Sequence, residues 1–126
     1  MIIRISQLIM KSRIMYIEHK GAGLTGEARI GRVEFSKTSK SIHYNGQTFQ
    51  TLGGTGFKSN YFDIESGDEY WISGCHKDGN DRLYSERTPI YLDKEVQEEY
   101  WIEIRNMPEM VGRIVINGKN NQWKER

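Results

Sequence analysis

A small, mainly β fold with a single C-terminal helix is the architecture this sequence predicts, and three observations predict it. Short runs of alternating apolar and polar residues recur along most of the chain, separated by glycine-rich or polar turns. Thirteen glycines against two prolines favour tight turns between short strands. From Lys94 onward the spacing changes, and Val96, Tyr100, Trp101 and Ile104 recur at a helical period. At 126 residues the chain suits one domain with one adequate core. The expected arrangement is a strongly bent antiparallel sheet or a partly open SH3-like barrel, capped at one end by the helix.

The opening residues, 1–14, differ in character from the rest, while Met15 leads directly into the strand-like MYIEH. Residues 1–14 are therefore read as a loosely attached extension and 15–116 as the domain. After a first strand over 15–19, GAGLTGE makes a glycine-rich loop. In 28–35 (ARIGRVEF), Ala28, Ile30 and Arg32 share one face while Val33 and Phe35 fall on the other, so a bulge at Gly31 is expected to realign the apolar set. Runs at 41–44 and 48–52 flank Asn45-Gly46, the pair a type I′ hairpin selects because both turn positions need positive φ. A second hairpin joins 61–64 to 69–73 through Glu65-Ser66-Gly67-Asp68. Beyond a polar loop, Leu83-Tyr84 and Ile90-Tyr91-Leu92 are short extended pieces.

Asp93 sits where the N-cap of a helix over residues 94–106 belongs, with Glu95 in the first turn, where the macrodipole favours an acid. Pro108 ends that helix. Residues 112–116 (GRIVI) read as a last strand, Asn117-Gly118 as a turn, and 117–126 as a polar tail.

Net charge is +1, but it is unevenly spread. Basic residues dominate the first 60 positions, acids dominate 61–110, and the tail is basic again. Such blocks could draw a polyanion to one side or bring copies together head to tail; in a compact fold they mostly neutralise each other. One cysteine excludes an internal disulfide and points to a reducing compartment. The apolar opening is interrupted by Arg4, Ser6 and Gln7 with no small-residue cleavage site after it, and no run approaches the roughly 18 apolar residues of a membrane span. The expected location is cytoplasmic, away from membranes.

Three runs, GLTGEARIGRVEFSKT (23–38), YNGQTFQ (44–50) and FKSNYFDIESGDEYWISGCHKDGNDRLY (57–84), resemble a group of small bacterial proteins of unassigned function, and the helical EEYWIEIR looks like theirs too. The likeness spans roughly residues 15–111 and favours Met15 as the usual start of such chains. Proteins of this look sometimes carry the label 1-deoxyxylulose-phosphate synthase. That label does not fit: the synthase is a far longer, multi-domain thiamine-diphosphate enzyme, and the GDG…N cofactor motif is missing here.

Residues 57–84 concentrate the chemistry. Tyr61-Phe62 and Tyr70-Trp71 are aromatic runs, Cys75 precedes His76, and a charged loop from Lys77 to Arg82 follows. The function expected is a non-catalytic binding or accessory module for a protein partner. Tyr61, Trp71, His76, Lys77, Asp78 and Arg82 form its surface, supplemented by an acidic helix face of Glu95, Glu98, Glu99 and Glu103.

Two alternatives stand beside it. A nucleic-acid-binding barrel would use Arg29, Arg32, Lys37, Lys40 and Lys58 as cations, with Tyr44, Phe57, Tyr61 and Trp71 as stacking platforms, although a pI near 7.8 is below the usual basic footprint. A small enzyme would use Cys75 and His76, which can meet only in a loop, since neighbours on a strand point to opposite faces. No metal or cofactor is expected. His19, His43, His76, Cys75, Asp78 and Asp81 match no zinc spacing, KDGNDR misses the calcium-loop pattern, and neither GLTG nor GGTG ends as a P-loop does.

Overall fold

The computed structural model describes residues 9–21, 26–53, 59–82 and 88–116. Eight strands make one sheet: β1 (Ile9–His19), β2 (Ala28–Ser36), β3 (Ser41–Tyr44), β4 (Gln47–Thr51), β5 (Tyr61–Asp63), β6 (Glu69–Gly74), β7 (Ile90–Leu92) and β8 (Val115–Ile116). The first six close into an antiparallel barrel in the order β1-β6-β5-β4-β3-β2, sealed by β1 against β2. A small β-barrel with a short C-terminal helix is thus what the chain forms.

Local chemistry explains the hairpins. Asn45 (φ 52°) and Gly46 (φ 81°) adopt the left-handed conformations of the β3–β4 turn, and Gly67 (φ 80°) does so in the β5–β6 turn. The chain then leaves the barrel after β6 and runs along its outside. For that reason β7 lies parallel to β2, through Ala28↔Ile90 and Ile30↔Leu92, where a purely antiparallel sheet was expected. β8 returns antiparallel to β7.

Strand β2 is a wall between two cores. Its even face, with Ala28 and Ile30, packs with Ile14 and Tyr16 of β1 under Ile90, Leu92, Val96, Tyr100, Trp101 and Ile116. Its odd face, with Val33 and Phe35, lines the barrel interior with Met15, Ile17, Ile42, Tyr44, Phe49 and Ile72. Fully burying a side chain of this size is worth about 1.5–3 kcal/mol, so both cores contribute substantially.

No bulge occurs at Gly31: β1 and β2 stay in register from Lys11↔Phe35 to Glu18↔Ala28, and the one irregularity falls between Ile9 and Lys11. Both faces of β2 are apolar because both are covered. Gly31 is needed for room. A Cβ there would lie 2.6 Å from Tyr44 Cε1 and closer still to the Asp93 carboxylate.

Two expected boundaries also change. β1 begins at Ile9, so the limit drawn at Met15 falls inside a strand. The helical segment covers 94–104, starting as a 3-10 turn (Lys94–Val96), continuing as α (Gln97–Glu99) and widening to π over Tyr100–Ile104. It stops before Pro108: Asn106 takes a left-handed conformation (φ 56°), and the Met107 N–H donates to the Trp101 carbonyl at 2.7 Å. Pro108 instead opens a short 3-10 turn, Pro108–Met110. The expected extended piece at Leu83-Tyr84, the Asn117-Gly118 turn and the 117–126 tail lie outside the described residues. Among those described, no helix is long and apolar enough to cross a membrane.

Candidate functional site

Two strands share one edge of β2. β3 pairs with Glu34 and Phe35, β7 pairs with Ala28 to Ile30, and the two diverge in between. The fork opens beside one mouth of the barrel, and three side chains bridge it. The Arg29 guanidinium donates to Asp93 Oδ1 from Nη2 (2.6 Å) and Nε (3.2 Å), and Nε also reaches Tyr44 Oη at 3.1 Å. The Tyr44 hydroxyl donates to Asp93 Oδ2 at 2.6 Å.

The electrostatics follow from that geometry. Hydrogen bonds to Asp93 first, and to Tyr44 second, raise the Arg29 pKa and keep its charge fixed. Burial, then the bond to Asp93, pushes the Tyr44 hydroxyl up, so it remains a donor. Asp93 does hold the N-cap position, yet its side chain makes no capping bond because both oxygens are committed to β2 and β3.

Arg29 is 41% exposed at the side chain and touches three depressions. The first runs past Tyr44, Asn45 and Ile114. Another lies against Thr88, Pro89 and Tyr91. The third, a cavity of about 220 Å³, enters the barrel mouth between Ile17, His19, Glu27, Gln47 and Tyr70. At its rim His19 Nε2 meets Asp68 Oδ2 at 3.0 Å, while Gln47 Nε2 donates to Asp63 Oδ2 (2.8 Å) and Tyr70 Oη (3.2 Å).

The residues singled out from the sequence do not share a surface. Tyr61 is half-buried against the barrel core, and Trp71 packs on the opposite face against the outer core, its indole N–H donating to Ser73 Oγ at 3.2 Å. Arg82 is not on a projecting loop face: it is buried, donating to Glu18 Oε2 and the Gly26 carbonyl at 3.1 Å each. Only His76, Lys77 and Asp78 are exposed together, in a turn whose Gly79 lies against the Arg105 guanidinium.

Glu18 centres a buried ionic group, accepting also from Tyr16 (2.7 Å) and the Gly26 N–H (3.0 Å), with Lys20 Nζ at 3.2 Å. Among the nucleic-acid candidates, Arg29 is paired with Asp93 and Arg32 with Glu99, whereas Lys37 and Lys40 lie in the β2–β3 turn. Lys58 and Phe57 lie outside the described residues.

Cys75 and His76 follow β6 directly. Burial first, then the nearby Asp81 carboxylate, pushes the Cys75 thiol well above its ordinary value, the reverse of what a nucleophile requires. The His76 ring is engaged elsewhere, with Nδ1 2.8 Å from the Asn80 carbonyl. Among the described residues no group of three His, Cys, Asp or Glu side chains is placed to hold a metal ion.

Sequence reasoning missed Tyr44 and Asp93 as partners of Arg29, because they stand 15 and 64 positions from it. Gly31 was the one local signal, a glycine in the middle of a strand. No protein-family model matches the chain, nor is any curated protein or solved structure found similar to it.

Proposed function

We propose that this protein is a non-catalytic binding module that takes a protein partner along the β7–β8 end of the sheet. One observation carries the reading. Tyr91 and Val115, paired across β7 and β8, are 39% and 38% exposed on one face, with Ile114 40% exposed beside them. Tyr91 also pairs across β2 with Arg29, so this apolar set adjoins a fixed guanidinium. Tyrosine and arginine are favoured at interfaces, and a short strand at the end of a sheet accepts an added strand through its backbone groups. The partner fitting this edge is an extended segment with apolar side chains.

The test places a photo-cross-linkable residue at Val115, and separately at Lys37 in the β2–β3 turn, in the native host. A single adduct of defined mass from Val115, missing from Lys37 and lost with Tyr91→Glu, supports the reading. Equal adducts from both positions, or none from Val115, overturn it.

A further inference from the structure

The barrel mouth offers a second kind of site, which shares Arg29 with the β7–β8 surface but needs no protein partner. Mouths of β-barrels are recurrent small-ligand sites when a few polar groups converge over an apolar floor. Here the floor is Ile17 with the rings of Tyr44 and Tyr70. On the wall stand Glu27, immediately before β2, and Arg29, two positions further along the chain.

Both keep capacity to spare. The Nε side of the Arg29 guanidinium is used by Asp93 and Tyr44, leaving the Nη1 edge without a hydrogen bond among the described residues. The Glu27 carboxylate has no hydrogen bond or ion pair among them either, although its backbone carbonyl accepts from the His19 N–H at 2.9 Å. A planar guanidinium edge matches a carboxylate in a bidentate pair, and a free carboxylate matches an ammonium.

Charge balance decides which ligand suits the pair. A lone anion would meet an Arg29 already neutralised by Asp93, with Glu27 repelling it. A lone cation would satisfy Glu27 but leave the open guanidinium edge unused. A zwitterion satisfies both. The cavity, at about 220 Å³, is below the range of drug-sized sites and of the order of a single amino acid. We infer that the barrel mouth binds a small zwitterion of the free α-amino-acid class, its carboxylate on Arg29, its ammonium on Glu27 and an apolar side chain against Ile17, Tyr44 and Tyr70.

The experiment titrates the ¹⁵N-labelled protein with L-leucine, leucinamide and N-acetyl-leucine, following the amides of Glu27 and Arg29 and the Arg29 Nε–H. Leucine is expected to saturate these shifts at millimolar concentration, with each singly charged analogue weaker by about tenfold or more, since each loses one charged hydrogen-bonded pair. Glu27→Gln, at an exposed position outside the Arg29–Tyr44–Asp93 bridge, should abolish the preference for leucine over N-acetyl-leucine and keep the fold. Equal response to all three compounds, no response to any, or an unchanged preference in Glu27→Gln overturns the inference. None of these outcomes bears on the Val115 cross-link, so the two readings fail separately.

Discussion

Replacing Asp81 with asparagine should stabilise this protein at neutral pH and leave it unchanged at pH 4. Asp81 is 2% exposed. Its Oδ1 accepts from the His76 N–H at 2.7 Å, but its Oδ2 is buried without a hydrogen-bond partner among the described residues. Burial is the dominant cause that lifts the carboxyl from 3.8 to about 6. Because the folded state then holds its proton more tightly than the unfolded chain, stability from this group is complete below pH 3.8 and is lost as pH rises through about 6. A rise of that size corresponds to about 3 kcal/mol at pH 7 and above. Asparagine keeps the acceptor for His76 and removes the buried charge, though its amide N–H₂ also lacks a partner, so a gain of about 1–3 kcal/mol is expected.

Urea denaturation of both proteins from pH 4 to pH 8 measures this. Every other group is common to both proteins, so the difference between them isolates Asp81. That difference should be small at pH 4, grow with a midpoint near pH 5, halfway between the unfolded and folded values, and level off above about pH 6. A pH-independent difference, or a less stable variant at pH 7.5, would refute the reasoning.

Three further outcomes are expected. Gly31→Ala should cost about 1–3 kcal/mol by displacing Tyr44 and Asp93, visible as a shift of the Arg29 Nε–H resonance together with a lower urea midpoint. Glu18→Gln should cost about 3 kcal/mol or more, because Lys20 and Arg82 are buried against that carboxylate; thermal unfolding followed by circular dichroism reports it. Cys75 should react with iodoacetamide far more slowly at pH 8 in the folded protein than in urea, and fast alkylation of the native state would contradict its burial.

Much of the barrel was legible because its strands alternate and its turns use the residues their geometry demands. Asn45-Gly46 is the clearest case, since only the sequence of a tight hairpin asks for two positive φ angles in succession. Where the reading went astray, distance was the cause. The Lys11-Ser12-Arg13 part of β1 is exposed, so no apolar alternation marks it as a strand. The pattern around Gly31 looked like a bulge because alternation presumes one buried face, and β2 has two. Asp93 and Arg82 were assigned local roles, a cap and a loop surface. Their partners lie on β2, β3 and β1, which no short window shows.

The double burial of β2 also dictates how the chain must be made. During synthesis β2 emerges well before β7, and nothing in the barrel covers the face bearing Ile14, Tyr16, Ala28 and Ile30. Until residues 90–116 leave the ribosome, a finished barrel carries an oily flank beside an unpaired stretch of backbone at residues 28–30. Such a combination invites another chain to pair there. Emergence of residues 90–116 is therefore the step that ends the hazard, and a ribosome stalled before β7 would hold the most aggregation-prone form of this protein.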